Sequence, residues 1–146
     1  MKASVLYKIV SCLLVLFCVG HTFGFRQTDP RWGVGSLVES MRTIHFDAQG
    51  FSRTYWDFYV GFGFFVSVFL LFTAVLAWQL GAMSREALVR MPVLTWALAI
   101  CFVGVTVLSW RYFFFVPIIC SSVITLCLIL AAWLSRKSHS LRISTP

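Results

Sequence analysis

The stretch FYVGFGFFVSVFLLFTAVLAWQL, Phe58–Leu80, contains no Asp, Glu, Lys, Arg or His. At about 1.5 Å of rise per helical residue, a run of this length crosses the roughly 30 Å hydrocarbon core of a bilayer. Its Phe and Val residues would suit a strand in water. In lipid every N–H and C=O must find a partner within the segment, so a helix is expected. Working outward, comparable runs appear on either side, giving spans at about 7–25, 55–80, 92–111 and 113–134. A chain that is 60% hydrophobic and 12% charged lacks the polar surface to coat a water-soluble domain of 146 residues. The expected class is an all-α integral membrane protein. It would be a single membrane domain over 1–146, built as a four-transmembrane-helix bundle with an outer loop at 26–54 and a cytoplasmic tail at 135–146.

The first span, preceded by MKASVLYK, also has the charged and apolar parts of a secretory signal. IVSC, Ile9–Cys12, has the look of a lipoprotein cleavage box, but Lys8 stands too close to Cys12 for an apolar region to fit between them. The run continues through GHTFGF without a convincing small-x-small site. A retained anchor is expected, with a cleaved signal as the alternative.

Basic residues near the span ends set the orientation. With the N-terminus inside, the inner flanks hold seven basic residues against Glu86, a net +6. The outer flanks hold five basic residues against four acids, a net +1, which together give the formal +7. Both termini are therefore expected in the cytoplasm. Trp32, Trp56 and Trp110 fall near the outer interface, and Trp78, Trp96 and Trp133 near the inner one, as aromatic belts do. Basic charge thus reads as an orientation signal and not as a nucleic-acid surface.

One connection is long. Within it SLVESMRTIHFD spaces Ser36 and Glu39 as a capping box and puts Leu37, Val38, Met41, Ile44 and His45 on one face, the pattern of a short amphipathic helix. Such a helix either rests on the membrane or closes over a pocket between the spans.

The ionisable residues at the outer span ends are His21, Asp57 and Arg111. Helical spacing places Ser11, Leu14, Cys18 and His21 on one face, and Ala97, Cys101, Gly104, Leu108 and Arg111 on another. Ser121, Thr125, Leu128 and Ala132 share a face of the last span, and Gly20 and Gly24 make a GxxxG step. Phe58, Phe62, Phe65, Phe69 and Phe72 form a stripe suited to lipid. The expected site is a polar cluster of His21, Asp57 and Arg111, with Arg53, Tyr55 and Tyr112 around it. Each member also has a structural reading: Asp57 closes a capping box with Thr54 or pairs with Arg111, Arg111 snorkels, and His21 bonds a nearby carbonyl.

The five cysteines, Cys12, Cys18, Cys101, Cys120 and Cys127, make no CxxC, and His21, His45 and His139 lack zinc spacing. No phosphate-binding loop, nucleophile elbow or dinucleotide fingerprint occurs. Neither a cofactor nor a metal is expected.

VGHTFGF, HFDAQGFSRTYWDFYVGFGFF, WQLGAM and VLSWRYFFFVPII together resemble a family of small bacterial four-span membrane proteins, over most of the chain. The architecture is also similar to that of DoxX-like four-helix proteins. The resemblance implies a bacterial inner-membrane setting and no mechanism. The residues favour a non-catalytic membrane module engaging a membrane lipid or a membrane-protein partner, with homo-oligomerisation left open. The alternative is a small membrane enzyme or redox accessory acting on a quinone or lipid. In it Asp57 would serve as base, Arg111 as anion or carbonyl contact and His21 as proton donor.

Overall fold

Backbone groups that water cannot reach must bond within their own segment, and the long apolar runs do so as helices. The computed structural model describes residues 2–143, with side chains through Arg136. The four long helices are α1 (Ala3–Gly24), α3 (Tyr55–Ala82), α5 (Pro92–Tyr112) and α6 (Phe115–Ile143). Each is long and apolar enough to cross a membrane, α6 over Phe115–Arg136. Pro92 opens α5 at a position where a missing N–H removes no helical bond. A short α4 (Arg85–Val89) between α3 and α5 is capped by Ser84, whose hydroxyl accepts from the Ala87 N–H. Two differences from expectation concern length. The first helix starts at Ala3, and α6 continues to Ile143 where a separate tail was expected from residue 135.

Contacts divide the chain into two compact units, residues 1–17 with 71–146, and residues 18–70. The first unit has a dense core drawn from α1, the end of α3, α4, α5 and α6, in which Tyr7, Val10, Leu14, Phe102 and Leu128 have no exposed surface. Ser121, Thr125, Leu128 and Ala132 are buried, as their spacing on the last span implied. The expected stripe on α5 is overturned. Cys101, Gly104, Leu108 and Arg111 are exposed, and the buried face carries Thr95, Leu98, Ala99, Phe102 and Ser109. That face offers the large ring of Phe102, and the Phe102 carbonyl is met from α6. Thr125 donates to the Phe102 carbonyl at 2.9 Å, and the Thr106 and Thr125 hydroxyls are 2.8 Å apart.

The second unit holds the end of α1, the start of α3 and the connection between them. A 3-10 turn, Pro30–Trp32, is capped by Asp29 and ends at Gly33 in the left-handed region, φ +66°. Helix α2 (Gly35–Thr43) follows, and it corrects the expected capping box. Its cap position is Val34, without a side-chain bond, and Ser36 lies inside the helix. The helix also stops before Ile44 and His45. Residues 45–54 form a hairpin that the helical reading did not anticipate, β1 (His45–Ala48) against β2 (Phe51–Thr54), in the register His45 to Thr54 and Ala48 to Phe51. The all-α expectation therefore holds for the spans and fails in the loop. Gln49 and Gly50 have φ +57° and +88°, the two positive values that a tight type I′ hairpin turn requires. Asp47 secures the turn by accepting the Gly50 N–H at 2.6 Å.

Candidate functional site

The hairpin delivers the chain into α3 through a reciprocal cap. The Thr54 N–H donates to Asp57 Oδ2 at 2.9 Å, and the Asp57 N–H donates to Thr54 Oγ1 at 3.1 Å. Two N–H groups that a helix start leaves without partners are satisfied at once, and the carboxylate sits at the positive end of the helix dipole. Asp57 thus takes the capping position its spacing from Thr54 allowed. Its Oδ1 takes no part in the cap.

Rings fasten the hairpin to α3. Phe46, half-buried on β1, stacks on Phe58 with centroids 5.9 Å apart and tilts against Tyr55 at 5.0 Å. The Arg42 guanidinium, at the end of α2, lies 4.2 Å from the Trp56 ring centroid, so the loop helix is also tied to the first turn of α3. Arg53 stands on β2 with its guanidinium 5.4 Å from the Phe51 ring and one N–H donated to the Ser52 carbonyl.

His21 lies elsewhere. Its Nε2 is 2.9 Å from the carbonyl oxygen of Gly63, and because a carbonyl only accepts, that nitrogen carries the proton. Gly63 is six residues beyond Asp57, about 9 Å farther along α3. His21 and Asp57 therefore sit at different depths. Around His21 a seam joins the two helices: Thr22 Oγ1 donates to Ser67 Oγ at 2.8 Å, and Cys18 Sγ lies 3.3 Å from the Ser67 carbonyl. Phe25 stacks on the His21 ring at 5.1 Å, and the Tyr59 hydroxyl donates to the Phe25 carbonyl. Gly63 makes the contact possible, since a Cβ there would come 2.2 Å from the Phe25 ring. Gly20 and Gly24, the expected GxxxG step, have no such neighbour within 4 Å.

Arg111 and Tyr112 belong to the first unit, both exposed, with the guanidinium 5.2 Å from the tyrosine ring. The second unit brings Arg53 and Asp57 together at a shallow groove of about 260 Å³, floored by Phe58, Gly61, Phe62 and Phe65. Tyr55 contacts Phe46 at the hairpin and is not part of the groove lining. Spacing within single helices could not reveal Phe25, Tyr59, Thr22, Ser67 and Gly63, because their roles depend on α1 meeting α3. The nearest signal was Gly63, a small residue in α3 that meets the stripe ending at His21.

Farther out, Asp29 accepts the Arg31 backbone N–H at 2.9 Å and pairs with its guanidinium at 2.5 Å. The guanidinium beside it holds the Asp29 carboxyl below the usual carboxylate range. Comparison with protein families, with curated proteins and with solved structures returns no match, so the geometry above carries the functional reading.

Proposed function

We propose that this chain is a non-catalytic membrane module of a bacterial inner membrane, a four-helix bundle with both termini cytoplasmic, whose outer unit holds a membrane lipid. The groove beside Asp57 carries the reading, with Arg53 and Asp57 at one end and Phe58, Phe62 and Phe65 leading away along α3. A cation beside an anion suits a zwitterionic head bearing a primary ammonium. The lipid phosphate faces Arg53 and the ammonium donates to Asp57 Oδ1, the oxygen the cap does not use. Phe62 and Phe65, 65% and 72% exposed, offer an acyl chain an apolar wall. His21 and Asp57 are both bonded to main-chain groups, an arrangement suited to holding helices in place. In the quinone or lipid enzyme, His21 Nε2 would have to leave the Gly63 carbonyl before passing on its proton.

The test is native mass spectrometry of the full chain released from mild detergent. Phosphatidylethanolamine and phosphatidylcholine with the same acyl chains would be offered. Preferential retention of the ethanolamine lipid is expected, and it should disappear in Asp57→Asn and in Arg53→Gln. Equal retention of the two lipids by the wild type, or a preference that survives both substitutions, sinks the groove reading. A quinone co-purifying at one per chain would transfer support to the enzyme. For orientation, a cysteine at Ser40 should react with an impermeant thiol reagent in intact cells and one at Ser138 should not.

A further inference from the structure

The first unit contains a second opening, at the end where α1 begins and α3 passes into α4. It is a cavity of about 520 Å³, within the roughly 300–1,000 Å³ typical of ligand sites. Lys2 and Arg85 bring two cations to its lining and Ser4 and Ser135 bring two hydroxyls, with no carboxylate among the described residues that line it. Leu88 and Leu134 make part of the remaining wall. The first turn of α1 forms one side, so the positive end of that helix adds to the potential of the two cations.

The wall is held firmly. A Cβ at Gly81 would come 2.7 Å from Lys8 Cγ and 3.0 Å from the Ser4 carbonyl oxygen, so α1 is pressed directly onto the end of α3. Behind Ser135 lies Tyr7, with no exposed surface and a hydroxyl that lacks a hydrogen-bond partner among the described residues. Ser135 and Thr95 are within its reach and, having given their own protons to the carbonyls of Ala131 and Pro92, keep oxygen lone pairs that can accept from it. The buried Tyr7 hydroxyl therefore adjoins the Ser135 hydroxyl that lines the cavity.

We propose that this cavity binds an anionic phosphate group, either the head of a membrane phospholipid or a soluble phosphate ester. Basic pockets at the ends of membrane helices take lipid phosphates for the same electrostatic reason, and the apolar wall leaves room for the glycerol and first methylenes. The site shares no residue with the outer groove and stands whether or not that groove holds a lipid.

The experiment offers the detergent-solubilised full chain phosphatidylglycerol and phosphatidylcholine of identical acyl chains, read by native mass spectrometry. In parallel, thermal unfolding is followed in inorganic phosphate and in chloride at matched ionic strength. The wild type should retain phosphatidylglycerol about tenfold better than phosphatidylcholine or be selectively stabilised by phosphate. The first result identifies a lipid head and the second a soluble phosphate. Lys2→Gln with Arg85→Gln should abolish whichever preference is seen. Arg136→Gln, which removes a nearby charge outside the lining, should leave it. Ser4→Asp places a carboxylate at the favourable end of α1, where it does not threaten the fold, and should abolish the preference as well. No preference in either assay, or a loss in Arg136→Gln equal to that in the double variant, overturns the proposal.

Discussion

The two compact units are held together by different means. In the first, large side chains disappear completely, Phe102 from α5, Leu14 from α1 and Leu128 from α6 among them, and shape does most of the holding. In the second, Phe62, Phe65 and Phe51 point outward, while the contacts that fix geometry are directional. These are a capping pair, a histidine on a carbonyl and a ring over a glycine. Lipid is as apolar as a protein core, so within a bilayer burying a phenyl ring yields close packing but little from leaving water. A unit whose rings face outward must take its specificity from hydrogen bonds and close backbone approach. The first unit should therefore be sensitive to lost volume, and the second to added volume or a lost polar partner.

The largest expected effect is that of Phe102→Ala, which opens a void where the ring has no exposed surface. It should cost about 3 kcal/mol, measured by denaturant titration of the full chain in detergent. A loss under about 1 kcal/mol would mean that the first unit is not held by packing. Next comes Gly63→Ala. The added methyl would sit 2.2 Å from the Phe25 ring, and the seam must open to admit it, at about 1–3 kcal/mol. Gly24→Ala, with nothing within 4 Å, is the matched control and should be close to neutral. Equal effects at the two glycines would erase the distinction between a close approach and an ordinary helical glycine.

Asp57→Ala comes third. It removes the acceptor for the Thr54 N–H at the start of α3 and should cost about 1 kcal/mol. Asp57→Asn keeps a side-chain oxygen for that N–H and should recover most of the loss. Hydrogen exchange at the Thr54 amide reads the cap directly, and unchanged protection in Asp57→Ala would show that the cap does not hold the hairpin to the helix.

The same physics explains what was legible from residue order. The four long helices were readable because each is an apolar run of membrane-crossing length, for which a helix is the expected form. The Thr54–Asp57 cap was readable because it is local, two side chains at a fixed offset. Ser11, Leu14, Cys18 and His21 were correctly grouped because a polar residue recurring on one face of an apolar helix has to find a partner. On α5 two faces competed, one of small residues through Cys101 and Gly104 and one through Ala99 and Phe102. Both are apolar, and the pattern contains no solvent side to separate them. The hairpin escaped because HFDA and FSRT are short and the turn uses Gln-Gly where Asn-Gly would have announced it. The preceding helical spacing could then be continued through Ile44 and His45 without contradiction. The site was legible in its parts and not in its assembly: Asp57 and His21 stood out, but the residues they meet were set by which helix faces touch.

The smallest expected effect lies at the periphery of the second unit and sets a lower bound for the comparison. Asp29 holds the turn before α2 through Arg31, and that contact keeps its folded-state pKa below the unfolded value. A depressed carboxylate pKa contributes stability above the unfolded pKa of about 4 and loses it as pH falls through the lower folded value. The turn should therefore be unaffected between neutral pH and pH 5 and loosen only in stronger acid. Asp29→Asn, which cannot titrate, should be free of that acid-dependent step. Hydrogen exchange at the Arg31 amide, which donates to Asp29 Oδ1, is the local probe. Because the Arg31 side chain is open to solvent and Asp29 only partly covered, global unfolding should scarcely register the change. A large shift in global stability from Asp29→Asn would mean that this turn anchors the whole second unit, and the ranking from packed core to surface turn would have to be redrawn.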